Sequence, residues 1–149
     1  MFCVDASLAA KWVLPEDYSD KALALFSATA QAGERIIAPP LLPIEVTNII
    51  RRRMLAATAP LSLTQATTAL ERFLAFPVRL EAPAGLYRRA LTLSETYQLP
   101  AAYDAHYLAL SQMRSCMLWT DDRRLLRLLG GRFPSIAWIG DYSVNAEGT

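Results

Sequence analysis

The stretch MFCVDASLAAKW, residues 1–12, decides the reading of the fold. Phe2–Val4 is short, apolar and strand-like, and it stops at an aspartate. A helix-like pattern begins at Ser7, with no linker between. A buried strand that passes straight into a helix is the first half of a β-α-β unit. The charge at its end is costly unless it is paired, caps the helix or has chemistry to do. Capping by Asp5 is one reading, since Asp is a favoured N-cap residue. The alternative is that other acids meet it in space.

The same alternation continues along the chain. Strand-like runs recur at Arg35–Ala38, Val78–Glu81, Cys116–Thr120 and Ile136–Ile139. Amphipathic runs predict helices over Ser7–Val13, Asp17–Gln31, Leu42–Ala56, Leu63–Phe76, Gly85–Tyr97, Ala101–Met113 and Asp122–Leu129. Gly33, Pro39-Pro40, Pro60 and Gly130-Gly131 punctuate them. Ser62 and Gln65 form a capping-box pattern. Buried strands alternating with helices predict a parallel sheet covered on both faces. With right-handed crossovers this is a three-layer α/β/α sandwich around about five strands. In such sheets functional groups gather beyond the carboxyl ends of the strands, near the switch point. Asp5 follows one strand and Asp121-Asp122 follow another.

The 149 residues read as one domain over 1–140, followed by a short tail over 141–149 whose end, Asn145–Thr149, is expected to fray. Apolar residues make up 53 % of the chain, which reflects either alanine richness or surface buried against another chain. The net charge of +1 carries no global nucleic-acid signal. Lys11 and Lys21 are the only lysines, and arginine supplies the other basic groups. Cys3 and Cys116, both in apolar runs, read as buried free thiols of a reducing compartment. No signal-peptide pattern and no membrane span is visible, so a cytoplasmic protein is expected.

Four of the 14 acids stand in unexpected places. Asp5 ends an apolar strand. Glu45 shares a helical face with Leu41, Leu42 and Ile49, with Asn48 one turn on; Arg52, two turns along, is the plain candidate partner. Asp104 falls in the first turns of a helix, on a face with Leu108 and Ser111. Asp122 opens a helix, where it could serve only as a cap. Carboxylates crowded together repel, and a divalent cation relieves the repulsion. Mg²⁺ or Mn²⁺ takes hard oxygen ligands, polarises a phosphate and activates a water. The residues therefore predict a metal-dependent phosphodiesterase.

The segments carrying these acids resemble the PIN-domain ribonucleases, and among them the VapC-type toxins of toxin–antitoxin pairs. Val4–Glu16 is similar to the family's first segment, with Asp5 as a metal-binding acid and Ser7 as its companion. Pro39–Arg53 resembles the second, with Glu45 as the second acid and Asn48 nearby. Tyr103–Leu110 resembles the third, with Asp104. Leu118–Leu125 resembles the Thr-x-Asp segment, making Asp122 the fourth acid and Thr120 its hydroxyl partner; Asp121, at the variable position, is expected to face outward, as a helix cap. The resemblance implies metal-dependent endonucleolytic hydrolysis of RNA with Mg²⁺ or Mn²⁺. It also implies a homodimer and a VapB-type antitoxin whose C-terminal segment occupies the groove.

Arg123 and Arg124 lie beside the predicted site and are candidate contacts for RNA or antitoxin, as is Arg52, although Arg51–Arg53 also suits a solvated helix end. His106, the only histidine, reads as a surface or interface residue. Trp12 and Tyr18 read as core or groove aromatics. Zinc-ligand spacing and a Gly-rich phosphate loop are absent. Two rival readings remain at this point: a phosphoaspartyl or receiver domain, which needs a lysine late in the chain, and an inactive RNA-binding or regulatory module that keeps the fold.

Overall fold

The strands fall where short apolar runs permit extended chain buried on both faces. The computed structural model describes residues 1–143, so the expected fraying of Asn145–Thr149 lies outside the described residues. Five strands, β1 (Phe2–Val4), β2 (Ile36–Ala38), β3 (Val78–Leu80), β4 (Met117–Thr120) and β5 (Ile136–Trp138), form one all-parallel sheet in the order β3-β2-β1-β4-β5. β1 is central, with Val4 opposite Trp119 of β4 and Cys3 opposite Ile37 of β2. Every residue of β1 and β2 is buried, whereas the edge strand β3 is largely exposed.

Seven helices flank the sheet: α1 (Ala6–Ala9), α2 (Ser19–Gln31), α3 (Leu42–Met54), α4 (Leu63–Leu74), α5 (Leu86–Thr96), α6 (Tyr103–Met113) and α7 (Arg123–Leu129). The architecture is the expected α/β/α sandwich. α6 lies over β1 and β4 and packs against α5; α3 packs against α1 and α4. None of the helices among the described residues is long and apolar enough to cross a membrane. Cys3 and Cys116 are buried free thiols, as expected.

Local chemistry sets the boundaries. Ser62 and Gln65 make the predicted reciprocal capping box at α4. Gly130 ends α7 with φ of 55°, a left-handed conformation that glycine adopts without a Cβ clash. The helix expected over Ser7–Val13 is instead the single turn of α1 followed by a 3-10 turn, Ala10–Trp12. The tighter winding turns the Trp12 indole inward, where Nε1 donates to the Ala22 carbonyl and the ring packs against Phe26 and Phe76. α2 begins at Ser19 rather than Asp17 because Tyr18 is left-handed, at φ of 65°.

Candidate active site

The chain runs outward from β1, turns back, and later adds β4 on the other side of β1. The switch point of the sheet therefore lies between β1 and β4, whose carboxyl ends open side by side. Asp5 follows β1, and its backbone N–H donates to the Trp119 carbonyl, extending the ladder by one residue. Thr120 closes β4 beside it and is fully buried.

Helix starts deliver the acids. Asp5 is the N-cap of α1, with Oδ1 accepting from the Leu8 N–H at 3.0 Å and the Ser7 hydroxyl at 2.7 Å. Its Oδ2 accepts from the Thr120 hydroxyl. Glu45 lies in the first turn of α3 and Asp104 in the first turn of α6. Asp122 is the N-cap of α7, with Oδ1 accepting from the N–H groups of Arg124 and Leu125 at 2.8 and 3.0 Å. Each acid thus sits at the end of a helix whose free N–H groups favour an anion. These four acids, together with Ser7, Asn48, Arg52 and Tyr107, line one pocket of about 160 Å³.

The helix ends do not offset the desolvation fully. Burial raises the Asp5 carboxyl to about 7, against the lowering effect of its Thr120, Leu8 and Ser7 hydrogen bonds. Burial raises Asp104 to about 6, and the charges of Asp122 and Glu45 add to the shift. Glu45 is raised by burial and held down in part by the Tyr107 hydroxyl, which donates to its Oε2. The pocket therefore carries more negative charge than its surroundings readily solvate.

Asp5, Glu45, Asp104 and Asp122 come together as anticipated, with Ser7 and Asn48 on the same pocket. Thr120 stands one bond behind, linking Asp5 Oδ2 to the Asp122 N–H. Other expectations change. Asp121 neither faces outward nor caps α7: its Oδ2 pairs with Lys11 at 2.8 Å and its Oδ1 accepts from Trp138 Nε1 at 3.0 Å. The capping belongs to Asp122. Arg52 lines the pocket but forms no ion pair with Glu45 among the described residues; Tyr107 is the direct partner. Arg123 stacks over Trp138 at 4.7 Å, and Arg124 is exposed; neither lines the pocket. His106 is half-buried, with Nδ1 bonded to the Ala102 carbonyl and its ring edge-on to Tyr87.

Tyr107 and Lys11 carry roles that the sequence reading missed. Tyr107 lies three residues after Asp104, on the same helical face, a spacing that places it toward the same pocket. Lys11 interrupts an otherwise apolar run, AlaAlaLysTrpVal, and such an interruption signals a buried, paired cation.

The molecule is thus a parallel α/β sandwich with an acid-lined pocket at its switch point. The sequence matches the PIN domain over residues 2–130, and the chain belongs to that family. PIN domains are generally nucleases, and they usually use divalent metal ions. Comparison with curated proteins finds no match.

The donors fit such an ion chemically, since carboxylate oxygens are the hard ligands that Mg²⁺ and Mn²⁺ take. Among the described residues, no group of three or more His, Cys, Asp or Glu side chains is placed to grip a metal directly. Mg²⁺ usually keeps several waters and binds through only one or two carboxylates. The pocket has room for several waters.

Proposed function

We propose that this chain is a metal-dependent endoribonuclease, the toxin of a type II toxin–antitoxin pair, with residues 1–140 as its single catalytic unit. The observation that carries the reading is the convergence of Asp5, Glu45, Asp104 and Asp122 on one pocket at the switch point of a PIN-domain sheet. These acids would hold Mg²⁺ or Mn²⁺, which when bound polarises the scissile phosphate and lowers the pKa of a water. Asp5 and Asp104, already reluctant to ionise together, would be held ionised by the cation and so gain most from it.

The remaining residues position and neutralise. Tyr107 orients the Glu45 carboxylate through its hydroxyl. Ser7 and Thr120 hold Asp5, and Thr120 also fixes the backbone of Asp122. Asn48 and Arg52 line the pocket from α3, where the guanidinium would receive a phosphate of the RNA backbone. Arg123 and Arg124 are exposed at the start of α7 and would extend that contact along the strand or meet the antitoxin.

The partners proposed are an RNA substrate, a VapB-type antitoxin that fills the groove, and a second copy of the chain, all in the cytoplasm. Exposed apolar side chains on α5, Tyr87 and Leu91, support the dimer. The test is cleavage of total RNA by the purified protein with Mg²⁺ or Mn²⁺, with chelator, and by Asp104→Asn. Cleavage that requires the ion and is lost in Asp104→Asn is expected. Undiminished cleavage in chelator refutes the mechanism. RNA binding with no cleavage under any metal favours the inactive RNA-binding module instead. Expression without an antitoxin should arrest growth, and expression of Asp104→Asn should not.

A further inference from the structure

Two adjacent aspartates follow β4, and only one lines the pocket. We propose that Lys11, aided by Trp138, is a positioning residue that ties Asp121 down behind the site and so leaves Asp122 to serve it. The inference rests on the function proposed above.

Lys11 is 4 % exposed. A buried ammonium is costly unless it is fully paired. Its Nζ pairs with Asp121 Oδ2 at 2.8 Å and with Glu16 Oε2 at 3.3 Å, and donates to the Asp17 carbonyl at 2.8 Å. The second Asp121 oxygen accepts from Trp138 Nε1. Both carboxylate oxygens of Asp121 are therefore engaged away from the acid pocket, and its backbone N–H is engaged too, by the Ser7 hydroxyl at 2.9 Å. Asp122 is engaged on one side only. Its Oδ1 caps α7, while Oδ2 takes no hydrogen bond among the described residues.

Trp138 is itself held on several sides. Arg123 stacks on its face and Tyr18 meets it edge-on at 5.2 Å. Gly140 makes room for it, since a Cβ there would stand 2.3 Å from the indole ring. Trp138 lies beyond residue 130, where the family match ends. The brace therefore joins the first helical turns of the chain to a strand outside the matched region.

The consequence is electrostatic. Without Lys11, Asp121 becomes an unpaired anion beside four acids, free to turn toward the cation they hold and to draw it from Asp122. A merely structural Lys11 would change stability but not the competition between the two aspartates.

The experiment measures Mn²⁺ binding alone, by calorimetry on the full chain without RNA, with unfolding melts to confirm that each variant is folded. Lys11→Met should tighten Mn²⁺ binding about tenfold, because it removes a cation beside the site and frees a carboxylate to join it. Adding Asp121→Asn to Lys11→Met removes the stranded charge and should abolish most of that gain. Wild-type or weaker affinity in folded Lys11→Met, or a double variant that binds as tightly as the single, overturns the inference while leaving the nuclease reading intact. Should Lys11→Met fail to fold, Trp138→Phe keeps a ring at this position and removes the donor to Asp121 Oδ1. It should tighten Mn²⁺ binding about threefold, and an unchanged or weaker affinity overturns the brace. No Mn²⁺ binding by the wild-type chain refutes the function proposed above, and the inference falls with it.

Discussion

Asp5→Asn should stabilise the metal-free protein at neutral and alkaline pH and leave it nearly unchanged in acid. Burial raises the Asp5 carboxyl from 3.8 to about 7. The folded chain then holds this proton more tightly than the unfolded chain, so the stability it contributes is present below about pH 4 and is lost as pH rises toward about 7. Above that window the difference corresponds to at most about 4 kcal/mol, at about 1.4 kcal/mol per unit. Asparagine removes the charge and can keep the network. Its Oδ1 takes the Leu8 N–H and the Ser7 hydroxyl, and its Nδ2 faces Thr120 Oγ1, whose own proton can turn to Ser7 Oγ at 3.3 Å. Rearranged hydrogen bonds offset part of the gain, so a net stabilisation of about 1–3 kcal/mol is expected. The assay is urea unfolding of wild type and variant in chelator, near pH 8 and near pH 4.5, read as the difference between the two proteins at each pH. RNA cleavage should be lost in the same variant. A variant less stable than wild type near pH 8, or one whose difference does not depend on pH, would show that Asp5 is stabilising as an ordinary cap and would refute the argument.

Other perturbations probe separate parts of the structure. Tyr107→Phe removes the hydroxyl that donates to Glu45; cleavage should fall about tenfold or more, with the acidic limb of the pH–rate profile moving upward as Glu45 becomes harder to ionise, and an unchanged profile would dissociate Tyr107 from the site. Ser62→Ala breaks the capping box of α4 and should cost about 1 kcal/mol in urea unfolding without affecting cleavage. Gly140→Ala places a Cβ against the Trp138 ring; thermal unfolding should show a loss of about 1–3 kcal/mol, and a neutral result would mean that the ring moves freely.

Much was decided by local pattern. The apolar runs at 2–4, 36–38 and 117–120 are too short for helices and alternate with helical stripes that can cover a sheet, so a parallel sandwich was legible before any contact was known. Three of the candidate acids were legible from the same pattern: Asp5, Glu45 and Asp104 each place a charge beside an apolar strand or helix face, whereas Asp122 reads alone as a helix cap and gains its role from the resemblance of its segment. Position along the chain also put each at the start of a helix. What local pattern could not reach was orientation across long sequence separations. Asp121 and Asp122 are chemically identical neighbours, and nothing in TrpThrAspAspArg says which turns inward. Lys11 and Trp138 decide it, one 110 residues before and the other 17 residues after Asp121, by engaging its two oxygens. Glu45 likewise could pair along its own helix with Arg52, but α6 brings Tyr107 across from 62 residues away and takes that role. Hydrogen-bond and ion-pair partners depend on distances of a few tenths of an ångström, which only the packed sheet and its helices set.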